Sequence, residues 1–105
     1  MTEQDLELTR LAAKAAGIEL EPGTTRIVRK MQTWRPRDDD GDALKLAVKL
    51  DIVFRCINGV VFAWKDGICD TQEPYSDDPC AATRLAIVRA AAEIGKAMIK
   101  ARSNE

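Results

Sequence analysis

The sequence predicts a single α+β domain: one antiparallel sheet of three or four strands packed with three helices, in the order α-β-α-β-β-β-α. Three observations carry this. Segments near the start and at the end of the chain repeat apolar residues at helical spacing. The middle holds β-rich runs joined by Asn58-Gly59, the strongest short hairpin signal available. The length of 105 residues suits one domain, spanning residues 1–105. A chain of this size removes about two-thirds of its unfolded surface from water, so an ordinary core needs no staple. Aromatics are 5% of residues and hydrophobics 46%. The core is therefore expected from Leu, Ile, Val and many Ala, which favours closely packed helices.

The first helix is predicted over Asp5 to Ala16, with Leu8, Leu11, Ala12 and Ala15 on one stripe. Thr2 or Asp5 can cap its start, and Gly17 stands where a left-handed cap is needed. Glu21-Pro22-Gly23 reads as a turn. Thr25 to Gln32 reads as a short strand. Neither of its faces is cleanly apolar, which places it at a sheet edge. Pro36, within Trp34-Arg35-Pro36-Arg37, cannot continue a ladder and ends it.

Asp38 to Asp42 open a second helix, where carboxylates cap free N–H groups and complement the dipole. Its body, Ala43 to Leu50, places Leu44, Ala47 and Val48 on the apolar face. Ile52 to Ile57 and Val60 to Trp64 form a hairpin through Asn58-Gly59, since both turn residues tolerate positive φ. Lys65-Asp66-Gly67 makes a second turn. Ile68 to Thr71 is a third, short strand, followed by a polar loop from Gln72 to Asp78.

The last helix is capped by Asp78, with Pro79 at its first position. Ile87, Val88, Ala91, Ile94, Gly95 and Met98 form its apolar stripe, and Arg89, Glu93, Lys96 and Lys100 the opposite face. Arg89/Glu93 and Glu93/Lys96 stand at pairing distances. Ala90, Ala91, Ala92 and Gly95 leave the helix thin enough for another backbone to approach. The tail from Arg102 to Glu105 is expected to fray.

Several function classes are excluded by composition. There is no histidine. Serine triads, Cys-His dyads, histidine metal sites and histidine proton shuttles therefore have no members within the chain. No GKS, GKT or GxGxxG phosphate loop occurs. Cys56, Cys69 and Cys80 are odd in number and form no CxxC pair, which argues against a disulfide framework or structural zinc site. Reduced thiols in a cytoplasm are the simplest reading. No apolar run approaches the roughly 18 residues of a spanning helix, so no membrane role is expected. The acidic opening MTEQDLELTR lacks the apolar region of a secretory signal.

Three constellations carry chemistry in principle. The Asp38, Asp39, Asp40, Asp42 cluster invites a divalent cation. In an EF-hand register with Gly41 as sixth residue, however, Pro36 and Ala47 fall at ligand positions, so helix capping is preferred. Arg26, Arg29, Lys30, Trp34, Arg35 and Arg37 combine phosphate-binding charge with an aromatic, as single-strand nucleic-acid binders do. A formal net charge of −1 supplies no whole-chain attraction to support this. Cys80, in the first turn of the last helix, is the best-placed thiol for reactivity. A small buried thiol is the expected fate of the cysteines. Trp34 and Trp64 are candidate partner anchors, with Trp64 expected as part of the sheet scaffold. No catalytic, cofactor-binding or metal-binding residue is assigned, and no cofactor is expected.

Two long segments, WRPRDDDGDALKLAVKL (Trp34 to Leu50) and DPCAATRLAIVRAAAEIGKAM (Asp78 to Met98), together with LAAKAAGIE (Leu11 to Glu19), resemble the phage ABA sandwich domain family. The resemblance covers a little under half of the chain. It implies an α/β/α sandwich, a bacteriophage or prophage origin and work in the cytoplasm of a bacterial host, and no activity. The expected trade is surface contact: binding of a protein, either a second copy or a host factor. Nucleic acid, through Arg26 to Arg37, is the alternative partner, and a metal-dependent enzyme built on the aspartates is the third.

Overall fold

Each helix begins on a side chain chosen for that task. In a computed structural model, which describes residues 2–67, 69–75 and 77–103, α1 (Glu3–Ala16) opens on a reciprocal cap. Thr2 Oγ1 accepts from the Asp5 N–H at 3.1 Å, and the Asp5 carboxylate accepts from the Thr2 N–H. Gly17 closes this helix in the left-handed conformation, at φ 71°. Helix α2 (Asp40–Leu50) is capped by Asp39, whose carboxylate accepts from the Asp42 N–H at 2.8 Å. Helix α3 (Pro79–Ser103) starts with Asp78 Oδ1 accepting from the Ala81 N–H at 3.0 Å.

The sheet is a meander of three antiparallel strands, β1 (Val53–Ile57), β2 (Val60–Lys65) and β3 (Cys69–Pro74), in that spatial order. Asn58 (φ 51°) and Gly59 (φ 78°) both adopt the positive φ of a type I′ turn. The Ile57↔Val60 pair next to this turn fixes the register through to Val53↔Trp64. Pairing alternates side chains between two faces. Phe54, Cys56, Val61, Ala63, Thr71 and Glu73 point toward α3; Val53, Arg55, Phe62, Trp64, Asp70 and Gln72 point away.

Helix α3 is the central layer. It packs on all three strands with one side and on α1 and α2 with the other. Ala86, Val88, Ala90, Ala91 and Ala92 are all completely buried, and a helix that is apolar around most of its circumference belongs inside. This decides the layering. The resemblance implies helices on both faces of the sheet; instead the layers run sheet, α3, then α1 with α2. The second face of the sheet carries no helix among the described residues.

Other departures are local. Thr25 to Gln32 is not a strand: it forms only the isolated bridges Leu20↔Ile27 and Arg26↔Thr33. Arg29 turns the chain in the left-handed conformation (φ 65°), and the Lys30 N–H donates to the Ile27 carbonyl at 3.2 Å. In α2 the buried residues are Ala43, Leu46 and Ala47, while Leu44 and Val48 face outward. The small alanines let α2 lie close against α3, and the rotation leaves the larger side chains exposed. Strand β3 runs through Gln72, Glu73 and Pro74, a stretch whose polarity suggests a loop. Glu73 is buried there because Arg89 of α3 pairs with it, which diverts Arg89 from Glu93; Glu93 pairs with Lys96 at 3.2 Å. Met98 is exposed rather than part of the core. The expectations for Ile68 as a strand start and for Asn104 and Glu105 as a frayed tail lie outside the described residues.

Candidate functional site

The acidic cluster is dispersed by the partners its members take. Asp39 holds the Asp42 N–H, and Asp42 Oδ2 accepts from the Arg35 N–H at 2.9 Å. Asp40 Oδ1 pairs with the Arg84 guanidinium at 2.6 Å. These carboxylates finish a helix end and tie it to α3. Among the described residues no group of three or more acidic or cysteine side chains is placed to hold a metal ion.

The basic segment is also divided. Arg37 pairs with Asp5 across α1, and Arg26 stands 3.9 Å from Glu21. Arg29, Lys30 and Arg35 are exposed. Trp34, the aromatic on which a base would stack, is only 5% exposed. The Trp34 backbone N–H donates to the Thr25 carbonyl at 2.8 Å, which ties its main chain to the bridged segment. Its expected place among nucleic-acid contacts is therefore corrected: it belongs to the core. Trp64 is half-buried on the outer face of the sheet, in keeping with a scaffold position.

Cys56 and Cys80 are both exposed, against the expectation of buried thiols. They line one apolar cleft of about 320 Å³ with Leu44, Phe54, Thr83 and Arg84. The reason is topological. Cys56 points to the α3 side of β1, at the end where only the first turns of α3 stand opposite it, and its Sγ lies 3.7 Å from Thr83 Oγ1. Burial raises the Tyr75 hydroxyl above its ordinary pKa, and interaction with Cys56 adds to that rise.

Four of the exposed apolar side chains lie on the two elements that border this cleft. Leu44 (55% exposed) and Val48 (69%) lie one turn apart on α2; Val53 (48%) and Phe54 (39%) are consecutive on β1. Here β1 is an open edge of the sheet. In a two-residue hairpin the pair flanking the turn, Ile57 and Val60, exchanges hydrogen bonds, so Val53, Arg55 and Ile57 bond to β2. The N–H and C=O groups of Phe54 and Cys56 consequently point outward. No backbone bond from either to another element occurs among the described residues.

The two sheet edges are unequal. Edges are ordinarily guarded by charge, proline or a bulge. Strand β3 carries Asp70, Glu73 and Pro74. Strand β1, VFRCI, has no proline, no lysine and a continuous one-to-one register, and its one charge, Arg55, lies on the outer face. Sequence reasoning passed over this edge, although the absence of any guard in Ile52 to Ile57 was visible. Compared with protein-family models, curated proteins and solved structures, the chain finds no match in any of the three.

Proposed function

We propose that this is a non-catalytic, protein-binding domain whose working surface is the open β1 edge together with the exposed face of α2. The observation that carries the reading is the exposure of Leu44, Val48 and Phe54 on the α3 side of an unguarded strand edge, with Val53 exposed on the other face of the same strand. Exposed apolar patches rimmed by polar groups mark interaction sites, and an open edge supplies main-chain hydrogen bonds to an added strand. The resemblance to the phage ABA sandwich domain family suggests the setting: an accessory protein made during phage growth, acting in the bacterial cytoplasm on itself or on a host factor. The test is comparative capture from a bacterial lysate with the wild-type chain and with Phe54→Lys. Proteins retained by the first and lost by the second support the reading, and identical retention by both contradicts it.

Nucleic-acid binding through Arg29, Lys30 and Arg35 is the second reading, favoured by the exposure of these three cations. The buried Trp34 and the carboxylates of Asp39 and Asp42 in the groove that Arg35 lines weigh against it. Salt-dependent DNA binding lost on neutralising the three cations would favour it over protein binding.

A further inference from the structure

We infer that Cys56 and Cys80 are a modification site: a dithiol that exchanges with small-molecule disulfides, such as oxidised glutathione, and ties β1 to the first turn of α3 when oxidised. This inference stands apart from the protein-binding reading.

The pairing is set by the fold, against the order of the sequence. Cys69 lies between the other two cysteines and is nearer to each than they are to each other. In a flexible chain shorter loops close more readily, so unguided pairing would join Cys69 to one of them. The sheet separates Cys69 from both. Cys56 pairs across β1 and β2 with Val61, and Val61 with Glu73. Cys69 pairs instead with Lys65, four residues farther along β2, which is roughly 13 Å at the rise of a strand. At that end of β3, Thr71 donates to the Ala86 carbonyl at 3.2 Å, more than one helical turn beyond Cys80. Cys56 and Cys80 line one cleft, and both are exposed.

Thr83 aims the first thiol. Its hydroxyl donates to the Pro79 carbonyl at 2.8 Å, so its oxygen is free to receive the Cys56 thiol at 3.7 Å. Cys56 is thereby held toward the start of α3. Cys80 precedes Thr83 by three residues, which puts both on one side of the helix with Cβ atoms about 5–6 Å apart. No hydrogen bond holds the Cys80 thiol among the described residues. A disulfide needs Cβ atoms about 3.5–4.5 Å apart. Strand β1 cannot supply the approach, because its ladder pairs every residue from Val53 to Ile57. Cys80 can supply it. It is the second residue of α3, in a turn whose N–H groups lack intrahelical partners and which opens at least cost.

The chemistry balances with the small disulfide as oxidant. The thiolate of one cysteine attacks it; a bond from the protein sulfur to one half forms, the original S–S bond breaks, and the other half leaves as a thiolate. The second cysteine attacks the protein sulfur of this mixed disulfide and expels the remaining half. The chain gives up two electrons and two protons, and the oxidant becomes two free thiols.

Oxidation of the folded full chain with oxidised glutathione, quenched in acid and read by intact mass and peptide mapping, tests this. The expected product is a single chain lighter by two hydrogen atoms, with Cys56 joined to Cys80, reversed by a thiol reductant. Cys80→Ser is expected to stop at the mixed disulfide on Cys56, and Cys56→Ser at the mixed disulfide on Cys80. Cys69→Ser leaves the internal bond unchanged. Oxidation in urea is expected to favour pairs that include Cys69. Thermal melting checks each variant, and Cys56→Ala or Cys80→Ala replaces a serine variant that fails to fold. The proposal is overturned if the folded chain pairs Cys69, or links two chains in preference to forming the internal bond. It is also overturned if mixed disulfides last as long in the wild type as in the single variants, if Cys56 and Cys80 both stay reduced, or if Cys56–Cys80 is the leading pair in urea as well.

Discussion

Gly95 of α3 lies so close to Leu11 of α1 that a Cβ at position 95 would fall on the Leu11 carbonyl oxygen. The two helices therefore cross backbone to backbone. Ala12, Ala13 and Ala16 on α1 and Ala91 and Ala92 on α3 are buried at a thickness that larger side chains would not allow. Replacing Gly95 with Ala pits two effects against each other. Helix propensity favours Ala by about 1 kcal/mol, while overpacking against a backbone atom costs about 1–3 kcal/mol. Because the obstacle is backbone and cannot rotate away, the steric effect wins. Gly95→Ala is expected to lower stability in urea denaturation; a stabilised variant would show that α1 slides away at little cost.

The orientation of α2 yields a sharp contrast between two leucines. Leu46 is 2% exposed and Leu44 is 55% exposed. Leu46→Ala is expected to cost about 2–5 kcal/mol through lost burial and the cavity left behind. Leu44→Ala is expected to stay within about 0.5 kcal/mol. Denaturant midpoints measured at low protein concentration check both, and the reverse order would mean that α2 packs by its other face.

The acidic cluster makes a prediction about capping. Asp39→Ala removes the acceptor of the Asp42 N–H and should cost about 1 kcal/mol. Magnesium, manganese and calcium should leave the melting temperature of the wild type unchanged. A rise with any of them that disappears in Asp39→Ala would reveal a bound cation.

Acid stability should depend on Asp5. Hydrogen bonding to Thr2 holds its carboxyl below the ordinary value of 3.8. Partial burial opposes that effect, and the Arg37 guanidinium adds to it. A carboxyl whose folded-state pKa is depressed contributes fully above its unfolded value and loses that contribution as pH falls through the folded one. The difference in melting temperature between wild type and Asp5→Asn should therefore be constant near neutrality and shrink below about pH 4. A difference that persists unchanged into strong acid would assign the effect to packing.

The features legible in the sequence were those set by local chemistry. Thr2, Asp39, Asp78, Gly17 and the Asn58-Gly59 turn act within a few residues of themselves, and each stands where its residue type suggests. The thinness of α3 at Gly95 was legible for the same reason. What escaped depends on contacts distant in sequence. Glu73 can lie in a strand because Arg89 meets it from another element. Trp34, flanked by polar residues, is buried among apolar side chains that come from other parts of the chain. In α2 apolar residues occupy both sides of the helix, so periodicity could not choose between Leu44 and Leu46. The open edge stayed hidden on the same grounds, since an edge is defined by what fails to pair with it.

Hydrogen exchange at the Phe54 and Cys56 amides, followed as protein concentration rises, addresses the role of the β1 edge most directly. These two N–H groups point out of the sheet and should exchange rapidly in the dilute chain. Protection that grows with concentration at these two amides, and not at the β2-bonded Arg55, is the predicted result. Exchange that stays fast at every concentration, and also in the presence of proteins captured by the wild-type chain, would contradict it.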